Sequence, residues 1–279
     1  MYEKFEQKRK EWIQWLLGKD RHSIDNQIAR ILWDTAIFKT INEARRLAPE
    51  ADGGGVQLNG MIHHFIDRNF FVSQATAIRR LLDSEGAEGK RGVHSLSSLL
   101  DDMESNVALL RRDHMLKAEK HDEFGNEHLE LAIDKMADVE PAKRSPTDTI
   151  QPRIFEYLKT ELTAKCQPIK QYVDKFIAHA ATPESRLTIN ADDIDIPLKT
   201  LSDAQERILK TATFLGICVL CERDICSLAA ILSYEFRYAD HPLVQTADIP
   251  QLGRVWQDYE QETDGWSDWG LDNLLAEMK

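Results

Sequence analysis

The sequence predicts an all-α fold, a bundle of long helices. Three observations predict it. Apolar residues recur at three- and four-residue spacing in nearly every patterned segment, the period of a helix with one buried face. No alternation of strand and helix patterns runs along the chain, which argues against a doubly wound nucleotide-binding sheet. The 279 residues are 42% hydrophobic and 29% charged, an ordinary globular composition with enough chain for one large domain or two small ones.

The elements follow in order. Residues 3–17 place Phe5, Trp12, Trp15 and Leu16 on or near one side. Ser23 reads as the N-cap of a helix to Leu47, with Ile24, Ile28, Ile31, Thr35 and Phe38 on one stripe. The stretch PEADGGG then reads as a breaker and loop. A long helix is expected from Gln57 to Leu82, burying Ile62, Phe65, Ile66, Phe70, Ser73, Ala77 and Leu81. The stretch VHSLSSLLDDMESNVALLRRDHML continues at helical spacing through Leu96, Leu99, Leu100, Met103, Val107 and Leu110. Residues 117–148 are polar and weakly periodic, the mark of a loop or lid with a short helix near 127–137.

Pro152 suits the first turn of the next helix, which is expected to run to Ala181 with a kink at Pro168. Its buried stripe is Phe155, Leu158, Leu162, Cys166 or Ile169, Val173 and Phe176. Pro183 forces its end. Residues 186–201 read as a connection. Ser202 and Gln205 have the spacing of a capping box, opening a last long helix, apolar almost all round, that runs to Phe236. The end, TDGWSDWGLDNLLAEMK, interleaves acids with Trp266, Trp269, Leu271, Leu274 and Leu275. Two exposed tryptophans are costly, so this tail is expected to dock, on its own domain or on a partner. The organisation is thus an N-terminal helical extension over 1–50, a helical bundle over 55–240, and an acidic tail over 241–279.

The net charge is −12, so the overall field does not draw in nucleic acid. Local basic patches remain, at Arg45–Arg46, Arg79–Arg80 and Arg111–Arg112. Neighbours on a helix point about 100° apart, so a doublet seldom aims both charges at one spot, and a solvated face is the plain reading. No apolar run approaches the length of a membrane span, and the N-terminus lacks the pattern of a signal peptide. With cysteines at 166, 218, 221 and 226, three of them in an apolar helical pattern, a reduced cytoplasmic protein is expected.

Most motif-like features have a structural explanation. Cys218, Cys221 and Cys226 resemble a zinc set, but on one helix Cys226 points about 80° from Cys218 and about 140° from Cys221, so the thiols do not converge. His63 and Asp67 stand four apart without a third ligand, so no metal is expected. The glycines at 53–55 lack the Gly-Lys-Ser/Thr of a phosphate loop. The stretch QYVDKFIAHAA is more informative. Lys175 and His179 stand four apart, on one helix face. The lysine disfavours the charged imidazole and the helix C-terminus favours it. The pair serves equally as chemistry or as a helix end.

Three stretches together, RNFFVSQATAIRRLLD, GVHSLSSLLDDM and YVDKFIAHA, resemble HEPN-like helical proteins of the abortive-infection U type. The likeness covers residues 55–235. It implies an all-α bundle, a homodimer, no cofactor and a role in prokaryotic defence or toxin–antitoxin systems. It also implies metal-free RNA cleavage by an Arg-x4–6-His motif, in which histidine moves a proton and arginine steadies charge on phosphate. Here the positions that would hold the arginine are Tyr172, Val173 and Asp174, and no other histidine has one at that spacing. The resemblance therefore places His179, Lys175 and Asp174 at a catalytic site, with Arg79, Arg80 and Arg68 facing RNA. The alternative is a non-catalytic scaffold or sensor that kept the bundle, with a protein partner at the C-terminal tail.

Overall fold

A computed structural model of the chain describes residues 1–47, 60–84, 94–118, 123–178, 197–222 and 249–279. The regular elements among them are all helical: α1 (Tyr2–Leu17), α2 (Ile24–Leu47), α3 (Gly60–Leu81), α4 (Leu96–Ser105), α5 (Arg112–Ala118), α6 (Glu123–Ala137), α7 (Pro152–Tyr172), α8 (Leu198–Phe214), α9 (Ile249–Ser267) and α10 (Leu271–Glu277). Two π turns, Val173–Ile177 and Leu215–Val219, extend α7 and α8. The protein is an all-α helical bundle.

The central pair is α7 against α8. Around it, α3 and α4 pack on α7, while α9 and α2 pack on α8. The N-terminal α1 lies across α2, α4 and α5. One hydrophobic cluster runs from Phe5 to Leu274, with Trp12, Phe155, Leu158 and Phe214 wholly buried. Of the stripes expected for α1, α2 and α7, every residue is buried except Trp15 and Phe176, which are half-buried, and Cys166 and Ile169 are both inside. The Ser23 hydroxyl accepts from the Asn26 amide as the N-cap of α2, and Ser95 caps α4 with Ser98 in a reciprocal box.

Several sequence expectations are corrected. Ile62, Phe65 and Ser73 are exposed; α3 instead buries Phe70, Gln74, Ala75, Ile78 and Leu81. The helix from 96 breaks at Asn106, passes through a 3-10 turn at Val107–Leu109 and resumes as α5. The loop or lid expected at 117–148 contains the 15-residue α6, and its second half is tied down by ions. There the side chain of Arg112, 4% exposed, meets Glu130, Asp134 and Asp148 within 3.2 Å, and Arg144 joins Glu130 and Asp134. The α-helical winding of α7 ends at Tyr172, with Pro168 inside it, and passes into the π turn Val173–Ile177.

Ser202 and Gln205 form no capping box. α8 starts four residues earlier, after Pro197, and Ser202 donates to Glu262 of α9. Gln205 is buried at the junction of α2, α3, α8 and α9. Its amide donates to Thr35 and Gln74, and Tyr259 donates to its carbonyl oxygen. Buried amides need such partners, so this network fixes how four helices meet. The last long helix also stops early: the winding ends at Leu220, where Cys221 takes φ 56, and residues 223–236 lie outside the described ones. Arg9 of α1 donates to the Leu220 carbonyl and closes that end.

The tail docks on its own chain. Trp266, Trp269, Leu271 and Leu274 are buried. Trp269 Nε1, Arg207 and Tyr157 all donate to the carboxylate of Glu277 at 2.9 to 3.1 Å. Burial raises the Glu277 carboxyl, but the hydrogen bonds from Arg207 and Trp269 more than offset it and hold it below the usual range. Burial, and next the Glu277 charge, push the Tyr157 hydroxyl up to about 12.

Candidate functional site

The corner where the C-terminal end of α3 meets the end of α7 brings together residues 95 positions apart. α3 packs on both α7 and the π turn that follows it. Val173 stays in the core at the start of that turn, and the Ala178 amide bonds the Val173 carbonyl at 2.7 Å, five residues back. The wider winding places Asp174 and Lys175 half-buried at the rim. Such turns inside helices recur at functional sites.

Arg79, in the last turn of α3, reaches that rim. Its Nε donates to Asp174 Oδ1 at 3.3 Å, and its Nη1 donates to both oxygens of Asp83 at 2.8 and 3.0 Å. Nη2 has no partner among the described residues, and the side chain is 32% exposed. Asp83 is itself anchored, because the hydroxyl of Ser95 donates to its carbonyl oxygen. The arrangement is a guanidinium held from one side with one edge toward solvent. A guanidinium offers paired N–H donors in a fixed fork, the geometry that fits phosphate oxygens.

Of the residues singled out by sequence, Arg79, Asp174 and Lys175 meet here. Arg80 is exposed on the next position of α3, turned about 100° away. Arg68 is exposed three turns earlier, about 16 Å along the helix axis, and does not share the corner. His179 follows Ala178 by one peptide bond and lies outside the described residues. The role of Asp83 as the support of Arg79 was missed. Its signal was present, an Arg and an Asp four apart at a helix end.

Other candidates are weaker. Asp67 is taken by Arg45 at 2.7 Å and not shared with His63. No cluster of three metal-binding side chains occurs among the described residues. Cys226 lies outside them, and burial pushes the Cys218 thiol up to about 11. A groove of about 650 Å³ beside the end of α6 is lined by Asp134, Lys135, Asp138, Glu140 and Lys143. Its charges are already paired: Asp134 with Arg112 and Arg144, Lys135 with Asp272, Lys143 with Glu140, and Asp138 with Arg153. Among the described residues, no helix is long and apolar enough to cross a membrane. No protein-family profile matches the chain, and no curated protein and no solved structure matches it either.

Proposed function

We propose that the chain is a HEPN-like prokaryotic defence protein, of the abortive-infection or toxin–antitoxin kind, that acts on RNA without metal at the corner of α3 and α7. The observation that carries this reading is the contact of Arg79 with Asp174. The motif arginine missing before His179 has a substitute from another helix, delivered to the segment that leads into that histidine. His179 moves the proton. Arg79 and Lys175 steady charge on the phosphate, and Asp174 draws Arg79 to the rim before substrate arrives. Arg80 and Arg68 draw flanking phosphates along the exposed side of α3. The protein works in the cytoplasm as a homodimer whose two corners face one cleft, and it needs no cofactor.

A second reading, a non-catalytic scaffold or sensor, is favoured by one observation. Arg79 already has two carboxylate partners, in a chain of net charge −12. One experiment separates the two. Purified protein is incubated with labelled total RNA and tRNA in EDTA, beside His179→Ala and Arg79→Ala variants. Cleavage that is lost in both variants supports the nuclease. Equal inertness of parent and variants supports the scaffold.

A further inference from the structure

We infer that Asp174 is an internal stand-in for a substrate phosphate, a counter-ion that RNA displaces from Arg79. The inference rests on the reading of this corner as an RNA site and adds how that site is held in reserve. The two carboxylates on Arg79 are not equivalent. Asp83 belongs to the same stretch of chain, four residues on, and closes on Nη1 at 2.8 and 3.0 Å. Asp174 comes from the π turn and touches only Nε, with one oxygen, at 3.3 Å. That is long for a charge-assisted hydrogen bond, for which about 2.7–2.9 Å is usual.

The donors decide the exchange. Nε–H and Nη2–H form the parallel two-donor edge of a guanidinium, the edge that phosphate takes with two oxygens. Asp174 occupies half of that edge and Nη2 is left over. A phosphodiester oxygen pair that takes both donors replaces one long bond by two. Asp83 keeps Nη1 and holds the plane of the guanidinium while the exchange occurs. Asp174 is 37% exposed, so its release costs no burial of charge. Without RNA, the same carboxylate keeps weak anions off Arg79. The device is an autoinhibitory contact that selects for a ligand able to bind through two oxygens.

The test is fluorescence anisotropy with a fluorescein-labelled 12-nucleotide 2′-O-methyl RNA, which resists cleavage, in EDTA at fixed salt. Asp174→Asn is expected to bind about fivefold tighter than the parent, the factor an exposed ion pair is worth. Arg79→Ala is expected to bind more weakly, and the double variant Arg79→Ala/Asp174→Asn no better than Arg79→Ala. Glu156→Gln, an exposed charge change on α7, controls for net charge and is expected to move affinity by less than about twofold. Circular dichroism melts of each variant verify the fold. If the parent binds through Arg79 but Asp174→Asn binds no tighter, the inference falls and the RNA site stands. A gain that survives in the double variant also overturns it. If neither parent nor Asp174→Asn binds, the inference and the RNA reading fall together.

Discussion

Removing Arg112 is the sharpest test of how residues 112–148 are held. The side chain is 4% exposed and its guanidinium serves three carboxylates. Arg112→Met keeps the volume and deletes the cation. Asp134, 6% exposed, is then left to Arg144, and Asp148 keeps only the Ser145 amide. Breaking a buried pair costs about 3–5 kcal/mol. Arg144 still serves Asp134 and Glu130, so the lower end applies, about 3 kcal/mol. Domain stabilities run to about 5–15 kcal/mol, so the loss is large. With a urea dependence of about 3 kcal/mol/M, the midpoint followed at 222 nm falls by about 1 M. The acid limb changes as well. Hydrogen bonding to Arg144, and next to Arg112, holds the Asp134 carboxyl below its ordinary 3.8 against the effect of burial. Its stabilisation is therefore complete above that ordinary value and is lost as pH falls through the depressed one. Arg112→Met is expected to show a shallower loss of stability below about pH 4. A midpoint within about 0.2 M of the parent, with an unchanged acid limb, would refute the reasoning and leave the network a set of solvated surface pairs.

Three further outcomes are expected. Glu277→Gln weakens the three donations that seat α10. The parent's tryptophan fluorescence shifts red as acid protonates Glu277, below its ordinary 4.5, and the variant lacks that step because it has no carboxylate to titrate. Gln205→Ala takes the donor from the buried side-chain oxygen of Gln74 and an acceptor from the Tyr259 hydroxyl, for a loss of about 2–3 kcal/mol in chemical denaturation. Cys166 is fully buried, and burial pushes its thiol up to about 12; iodoacetamide at pH 8 should therefore leave it unmodified in the folded protein and label it in urea, as read by peptide mass spectrometry.

What could be read from the sequence was local. The helical period located Phe5, Trp12 and Leu16, and Phe155, Leu158 and Leu162, because burial on one face repeats with the helix itself. The cap at Ser23 was legible for the same reason, since donor and acceptor lie three residues apart. The box at Ser202 and Gln205 misled because its spacing also fits residues inside a helix. What places Gln205 in the core is Thr35, 170 residues away, and Gln74, 131 away. The polar stretch 117–148 looked like a lid because its charges read as solvated. Their partners, Arg112 with Asp134 and Asp148, are 22 and 36 residues apart. The exposure of Phe65 had no signal, since period alone does not say which apolar face finds a neighbour. At the candidate site, Lys175 and Asp174 were visible as a pair of neighbours, but their meeting with Arg79 depends on how α3 crosses α7.

The three arginine doublets carry the argument one step further. Each splits into an outward and an inward member, the two doublets inside helices as a turn of about 100° between neighbours requires, and Arg111–Arg112 where a bridge to Thr149 precedes α5. Arg46 is 60% exposed and Arg45 13%; Arg111 is 22% and Arg112 4%. The inward members join separate elements: Arg45 ties α2 to α3 through Asp67, and Arg112 ties α5 to α6 through Asp134. Arg79 has the same placement, tying α3 to the π turn through Asp174, yet it differs in closure. Arg112 donates from all three nitrogens, and the Nε and Nη2 of Arg45 are buried without a partner, where no external anion reaches them. Of the three, Arg79 alone combines a tertiary ion pair with a donor open to solvent. A purely structural bridge gains nothing from leaving that edge open. An anion-binding one requires it, and that contrast within a single chain is the physical ground for proposing an anion site at the end of α3.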